Sequence, residues 1–100
     1  MNEPGTSPAL RSHVTDLDIQ TQKIGQKYFK KEQPLSKGIT LGLATLMEAH
    51  NVFLLVNGGH KAEIVQKVLE GEISEQLPAS LLRRHPGLRV YLDKQAASLL

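Results

Sequence analysis

Val52-Phe53-Leu54-Leu55-Val56-Asn57-Gly58-Gly59-His60-Lys61 holds five consecutive apolar residues and then a glycine turn. An unbroken apolar run of this length is the mark of a strand buried on both faces, as in parallel sheets. Asn57-Gly58-Gly59 ends it. Ile64, Val65, Val68 and Leu69 then form one stripe of a helix that Gly71 stops. Moving toward the C-terminus, Pro78 opens a short helix and Pro86-Gly87 closes it. Leu88, Val90 and Leu92 alternate with Arg89 and Tyr91, which predicts a half-exposed strand. Residues 94–100 read as a terminal helix.

Moving toward the N-terminus, residues 44–50 have the Ala, Leu, Met and Glu content of a short helix, and 39–43 read as a short strand. Residues 38–100 thus read βαβαβα. That alternation predicts an α/β fold with a mostly parallel sheet in a three-layer, right-handed arrangement. Residues 31–37 are a polar connection containing Pro34. Leu17, Thr21, Ile24 and Tyr28 recur at helical spacing, so a helix is expected over 18–30, capped by Thr15 or Asp16. Gly25 in its middle costs about 1 kcal/mol against alanine, which makes this helix marginal. Residues 1–16, with Pro4, Gly5 and Pro8, carry turn chemistry.

Composition excludes several classes. One hundred residues make one domain at most. A formal charge of +2, with cations and acids interleaved, needs no nucleic-acid partner. Two Tyr, two Phe and no Trp supply few base-stacking platforms. The absence of Cys removes disulfide and thiolate chemistry. No apolar run approaches the ~20 residues of a membrane span, and the start of the chain lacks signal-peptide character. The expectation is a soluble cytoplasmic protein with no membrane partner.

Among residues that could carry chemistry, Gly58-Gly59-His60-Lys61 stands out. Glycines there let backbone approach a ligand, and a helix start offers free N–H groups to an anion. A lysine in the first helical turn opposes the macrodipole by about 0.3–1 kcal/mol, and an anionic ligand such as a phosphate reverses that sign. The bland alternative is a solvated lysine after an ordinary turn. The glycine spacing is neither a Walker loop nor a dinucleotide fingerprint. Glu3, beside Asn2 and Pro4, could hold an imidazole or be an exposed terminal acid. His13, His50, His60 and His85 show no metal-ligand spacing. His50 and His85 fall at helix ends, where a cationic ring is structurally favourable, and Arg83-Arg84 reads as a solvated helix end.

The order of segments is familiar. Asn2-Glu3-Pro4, Gly38-Ile39-Thr40-Leu41-Gly42-Leu43, Leu46-Met47-Glu48-Ala49, Gly58-Gly59-His60-Lys61-Ala62 and Pro78-Ala79-Ser80-Leu81-Leu82 with His85-Pro86 together resemble glucosamine-6-phosphate deaminase. The resemblance runs over essentially the whole chain. It implies a modified doubly wound, Rossmann-like sheet and a role in amino-sugar metabolism through N-acetylglucosamine catabolism. The implied reaction converts glucosamine 6-phosphate and water to fructose 6-phosphate and ammonia, by ring opening, aldose–ketose isomerisation and deamination. It implies no metal and no organic cofactor, and a small sugar phosphate as the ligand.

By that resemblance, 1–16 is an active-site turn, 17–37 a lid and 38–100 the βαβαβα part. The family's ring-opening motif reads Asp-Gly-His, two residues, an aromatic or large apolar residue, then Asn-Glu-Pro. This chain starts at the apolar position, Met1. Glu3 then matches the glutamate that orients the ring-opening histidine. The histidine, the aspartate before it, the proton-transfer aspartate and the N-terminal phosphate loop have no counterpart here. The chain is therefore expected to be a C-terminal part, inactive by itself. Lys61 matches the phosphate-binding lysine. Lys27 falls where hexameric bacterial enzymes carry an arginine on the substrate phosphate, keeping the charge but losing the fork. His13 and Thr15 replace an arginine and a lysine of the effector site, which argues against that regulation and leaves a homo-oligomer of the full-length protein open. Alternatives are a galactosamine-6-phosphate deaminase/isomerase, a sugar-phosphate sensing module of a transcription regulator, or a truncated product with an uncovered apolar face. 6-Phosphogluconolactonase shares the fold but fits the motifs less well.

Overall fold

The computed structural model describes residues 2–31 and 34–100. Its organising element is a parallel pair, β3 (Val52–Val56) and β4 (Leu88–Leu92). The two strands run in register from Val52 opposite Leu88 to Val56 opposite Leu92. Between them the chain passes through α3 (Ala62–Glu70) and a 3-10 helix over Pro78–Arg84. Ala62, Val65 and Val68 form the buried stripe of α3. Gly71 caps it in extended backbone, where a Cβ would lie 2.5 Å from the Lys67 carbonyl oxygen.

The core sits at the N-terminal ends of these strands. Leu43, Leu81 and Leu82 are buried there, with Leu46, Met47, Val52, Ile73 and Leu88 packed around them. Leu43 opens α2 (Leu43–Glu48), one residue earlier than the sequence suggests. Gly42 caps that helix under a tight constraint. A Cβ on it would lie 1.9 Å from the Leu10 carbonyl oxygen, the same oxygen that accepts from the Ala44 amide at 3.0 Å. Only glycine lets the 10–11 backbone cross the start of α2.

The familiar Pro78-Ala79-Ser80-Leu81-Leu82 segment is largely structural in this chain. The Ser80 side chain is fully buried. Its hydroxyl accepts from the Ser74 amide at 2.9 Å and reaches the Leu77 carbonyl at 2.6 Å, which closes the 74–77 turn. His85 is buried as well. Its Nε2 donates to the Ala49 carbonyl at 2.6 Å and its Nδ1 accepts from the Gly87 amide at 2.9 Å. An accepting Nδ1 is unprotonated, so His85 is a neutral clamp between the end of α2 and the start of β4 rather than a cationic helix end.

Other expectations are corrected. The 1–16 segment is not all turn: β1 (His13–Asp16) pairs antiparallel with β2 (Lys37–Thr40), His13 facing Thr40 and Asp16 facing Lys37. The predicted 39–43 strand therefore shifts toward the N-terminus and leaves the parallel sheet, because its partner comes from a stretch whose short, polar alternation carries no strand signal. Lys37 and Asp16 close this ribbon with a 3.1 Å ion pair. Arg11 forks onto the Glu48 carboxylate and ties it to α2. The predicted 18–30 helix contracts to α1 (Ile19–Gly25) and a 3-10 turn over Gln26–Tyr28. Asp18 caps it, accepting from the Gln20 amide at 3.3 Å, because Thr15 and Asp16 are taken up by β1. The terminal 94–100 segment forms successive turns and not a helix.

β3 departs most from expectation. Leu54 and Val56 point toward α3, but Phe53 and Leu55 are exposed, joined by Tyr91 of β4. The Phe53 and Tyr91 rings lie 6.1 Å apart at 43°. One face of an apolar strand thus lies open, since no layer among the described residues covers it.

Candidate active site

Glu3 is 8 % exposed although it stands near the start of the chain. Three sets of contacts bury it. The Asn2 side chain donates to the Leu41 carbonyl at 3.1 Å, the Gly5 amide donates to the Glu75 carbonyl at 2.8 Å, and the Thr6 hydroxyl donates to the Glu3 carbonyl at 2.5 Å. Gly5 has φ +83°, so the turn needs glycine at that position. The Glu3 carboxylate then accepts from the Thr21 hydroxyl at 3.2 Å and from the Asp18 amide at 3.3 Å. A buried carboxylate is tolerable only when hydrogen-bonded. Its two oxygens offer about four acceptor positions, so these partners leave room for an imidazole N–H. The sequence places Thr21 on a helical stripe but gives neither it nor Asp18 a role at the site. The helix-cap chemistry of Asp18 is the signal that could have found it.

Lys27 lies exposed in the 3-10 turn after α1. Glu3 and this segment are joined through Thr21 and Asp18. Lys61 stands elsewhere, at the C-terminal end of β3. It ends the 3-10 turn Gly59–Lys61 and immediately precedes α3. Its amide donates to the Gly58 carbonyl at 3.1 Å, and it is exposed. Among the described residues no hydrogen bond or ion pair joins Lys61 to Glu3 or Lys27.

Lys61 also borders a groove of about 280 Å3 between β3 and α3, whose other walls include Leu54, Val56, Ile64 and Val68. That lining is aliphatic and offers a sugar no hydrogen bonds. The cleft of about 390 Å3 at the strand ends is the more polar in make-up, with Asn57 and Asp93 beside Tyr91. In open α/β sheets ligands bind beyond the carboxyl ends of the strands. The outer end of the strands, and not the aliphatic groove, is therefore the place that suits a polar ligand. Among the described residues no group of three or more His, Asp or Glu side chains is placed to hold a metal ion.

A family model described as glucosamine-6-phosphate isomerases/6-phosphogluconolactonase matches residues 13–91. The chain belongs to this family. Within it, the similarity is to glucosamine-6-phosphate deaminases. Glucosamine-6-phosphate deaminase 1 of Bacillus subtilis (strain 168) is 43 % identical over 98 % of this chain and 41 % of its own length. The deaminase of Lactococcus lactis subsp. cremoris (strain SK11) is 40 % identical over 99 % of this chain and 43 % of its own. A solved structure described as a monomeric glucosamine-6-phosphate deaminase superposes with a TM-score of 0.91 at 43 % identity, over 99 % of this chain and 42 % of that one. The Rossmann-like α/β fold is thus that of the deaminase family. The chain spans about two-fifths of the length of the curated relatives it matches. No helix among the described residues is long and apolar enough to cross a membrane.

Proposed function

We propose that this chain serves amino-sugar phosphate metabolism as the C-terminal part of a cytoplasmic glucosamine-6-phosphate deaminase. The reaction is conversion of glucosamine 6-phosphate and water to fructose 6-phosphate and ammonia, with no metal or organic cofactor. One observation carries the reading: nearly the whole chain superposes on a deaminase at 43 % identity. The division into an active-site turn (1–16, ending in β1), a lid (17–37) and a C-terminal α/β part (38–100) belongs to the same proposal.

Glu3 orients the ring-opening histidine supplied by the rest of the enzyme, so that the imidazole can pass a proton to the ring oxygen. Its burial and its neutral hydrogen-bond donors support that role, because they keep the carboxylate in place without a competing cation. Lys61 binds the substrate phosphate, and Lys27 adds a second cation from the lid. The exposure of both ammonium groups supports this, since neither is spent on an ion pair among the described residues.

The test is a chimera in which residues 2–100 replace the matching segment of the Bacillus subtilis relative. A cooperative melt establishes that it folds. Turnover of glucosamine 6-phosphate is expected, and Glu3→Gln should lower kcat about 10²–10⁴-fold. Lys61→Ala should raise KM about tenfold, the loss of one charge-assisted contact. The chain alone should release no ammonia. A folded chimera without turnover, or one indifferent to Glu3→Gln, overturns the reading.

A further inference from the structure

The turn that carries Lys61 is held from the other strand. Val56 and Leu92 are opposite each other at the ends of β3 and β4, so Asp93 faces the glycines that follow β3. Its carboxylate accepts from the Gly58 amide at 3.0 and 3.2 Å and from the Ala96 amide at 2.7 Å. The Asp93 amide in turn donates to the Val56 carbonyl at 3.4 Å. Gly58 is the residue that needs holding. It sits at φ +95°, and a Cβ there would lie 2.6 Å from the His60 ring. Lys61 follows three residues later, its amide bonded to the Gly58 carbonyl at 3.1 Å. Where Gly58 goes, Lys61 goes.

We propose that Asp93 is a positioning residue for the anion-binding turn, acting through Gly58 to place Lys61. This rests on the reading of Lys61 as a phosphate ligand. The carboxylate ties down both ends of the site: Gly58 at the β3 side and the 93–97 turn at the β4 side. It forms no ion pair with Lys61 among the described residues, so it sets the backbone and leaves the ammonium free for an anion. The role has a distinctive sign. Electrostatics alone says that removing a carboxylate near a phosphate site tightens anion binding. Positioning says that removing it weakens binding.

Inorganic phosphate is titrated into the folded chimera described above and followed at the amides of Gly59, His60 and Lys61 by NMR. Lys61→Ala should bind about tenfold more weakly, and Asp93→Asn about three- to tenfold more weakly. Asp93→Asn added to Lys61→Ala should cause no further loss. Asp93→Ser keeps a hydroxyl able to cap Ala96 but is too short to hold Gly58. An asparagine oxygen can still accept one of these bonds, so Asp93→Ser should weaken phosphate binding at least as much as Asp93→Asn while melting close to it, since both residues cap Ala96, and the pair separates turn placement from general stability. In both variants Gly58 amide exchange should quicken. If Lys61→Ala weakens phosphate binding and both Asp93 variants bind as well as wild type or better, the inference fails and the phosphate reading survives. If the chimera without these substitutions shows no phosphate shifts, the phosphate reading fails and the inference with it.

Discussion

Two glycines of this chain differ in what surrounds them, and the difference predicts their tolerance. Gly42 meets backbone: the oxygens of Leu10 and Arg11 lie 1.9 and 2.1 Å from where a Cβ would sit. Backbone yields only by moving the crossing segment. Gly42→Ala should therefore cost about 2–3 kcal/mol, in the range of overpacking, as read by urea denaturation. Gly58 meets the His60 ring, which is exposed and can swing away. What remains is the positive φ, so Gly58→Ala should cost about 1–2 kcal/mol. His60→Ala should restore only a small part of it. Ser80 offers a third case. Its buried hydroxyl closes the 74–77 turn, and Ser80→Ala should cost about 1–3 kcal/mol by leaving the Ser74 amide unpaired. A loss below a few tenths would mean that water replaces the hydroxyl.

At the scale of elements, α1 stands apart. It buries no residue, and Ile19, Ile24 and Tyr28 are exposed along it and the turn that follows. Its anchors are polar: the Asp18 cap, the Gln22 side chain on the Leu17 carbonyl at 2.9 Å, and the Glu3–Thr21 bond. An element held mainly by hydrogen bonds, with no fully buried side chain, opens locally at low free energy. Amide exchange over 19–28 should run at least tenfold faster than over 52–56 and 88–92, and Asp18→Ala, removing about 1 kcal/mol of capping, should quicken it further. Equal protection in α1 and β3 would contradict this picture. Such looseness suits a lid that orders over a bound substrate.

The whole molecule is more open than its length requires. Its radius of gyration is 14.4 Å, against about 13 Å for a compact domain of this size. Phe53 is 55 %, Leu55 73 % and Tyr91 51 % exposed, all on one side of the parallel pair. A contiguous apolar face of this kind marks a surface made to be covered. The isolated chain should therefore bind a hydrophobic dye and associate as its concentration rises. Leu55→Lys should reduce both, measured by dye fluorescence and light scattering, without lowering the melting temperature. A chain that stays monomeric and dye-free at high concentration would refute this.

Patterns short in sequence were legible without coordinates. The apolar run of β3, the stripe of α3, the alternation of β4 and the glycine turn before Lys61 are consequences of periodicity and backbone sterics, which act over a few residues. They sufficed for the α/β class and for placing Lys61 after a strand. The ordered segments from Asn2-Glu3-Pro4 to His85-Pro86 pointed to the deaminase family. Only the tertiary structure decided which residues meet. It paired β1 with β2, opened one face of β3, made His85 a neutral clamp and buried Glu3 against Thr21 and Asp18. It also set Asp93 beside Gly58. These outcomes depend on contacts between distant parts of the chain, and a hydrogen bond over 35 residues, such as Gly58 to Asp93, leaves no periodic trace in the sequence that makes it.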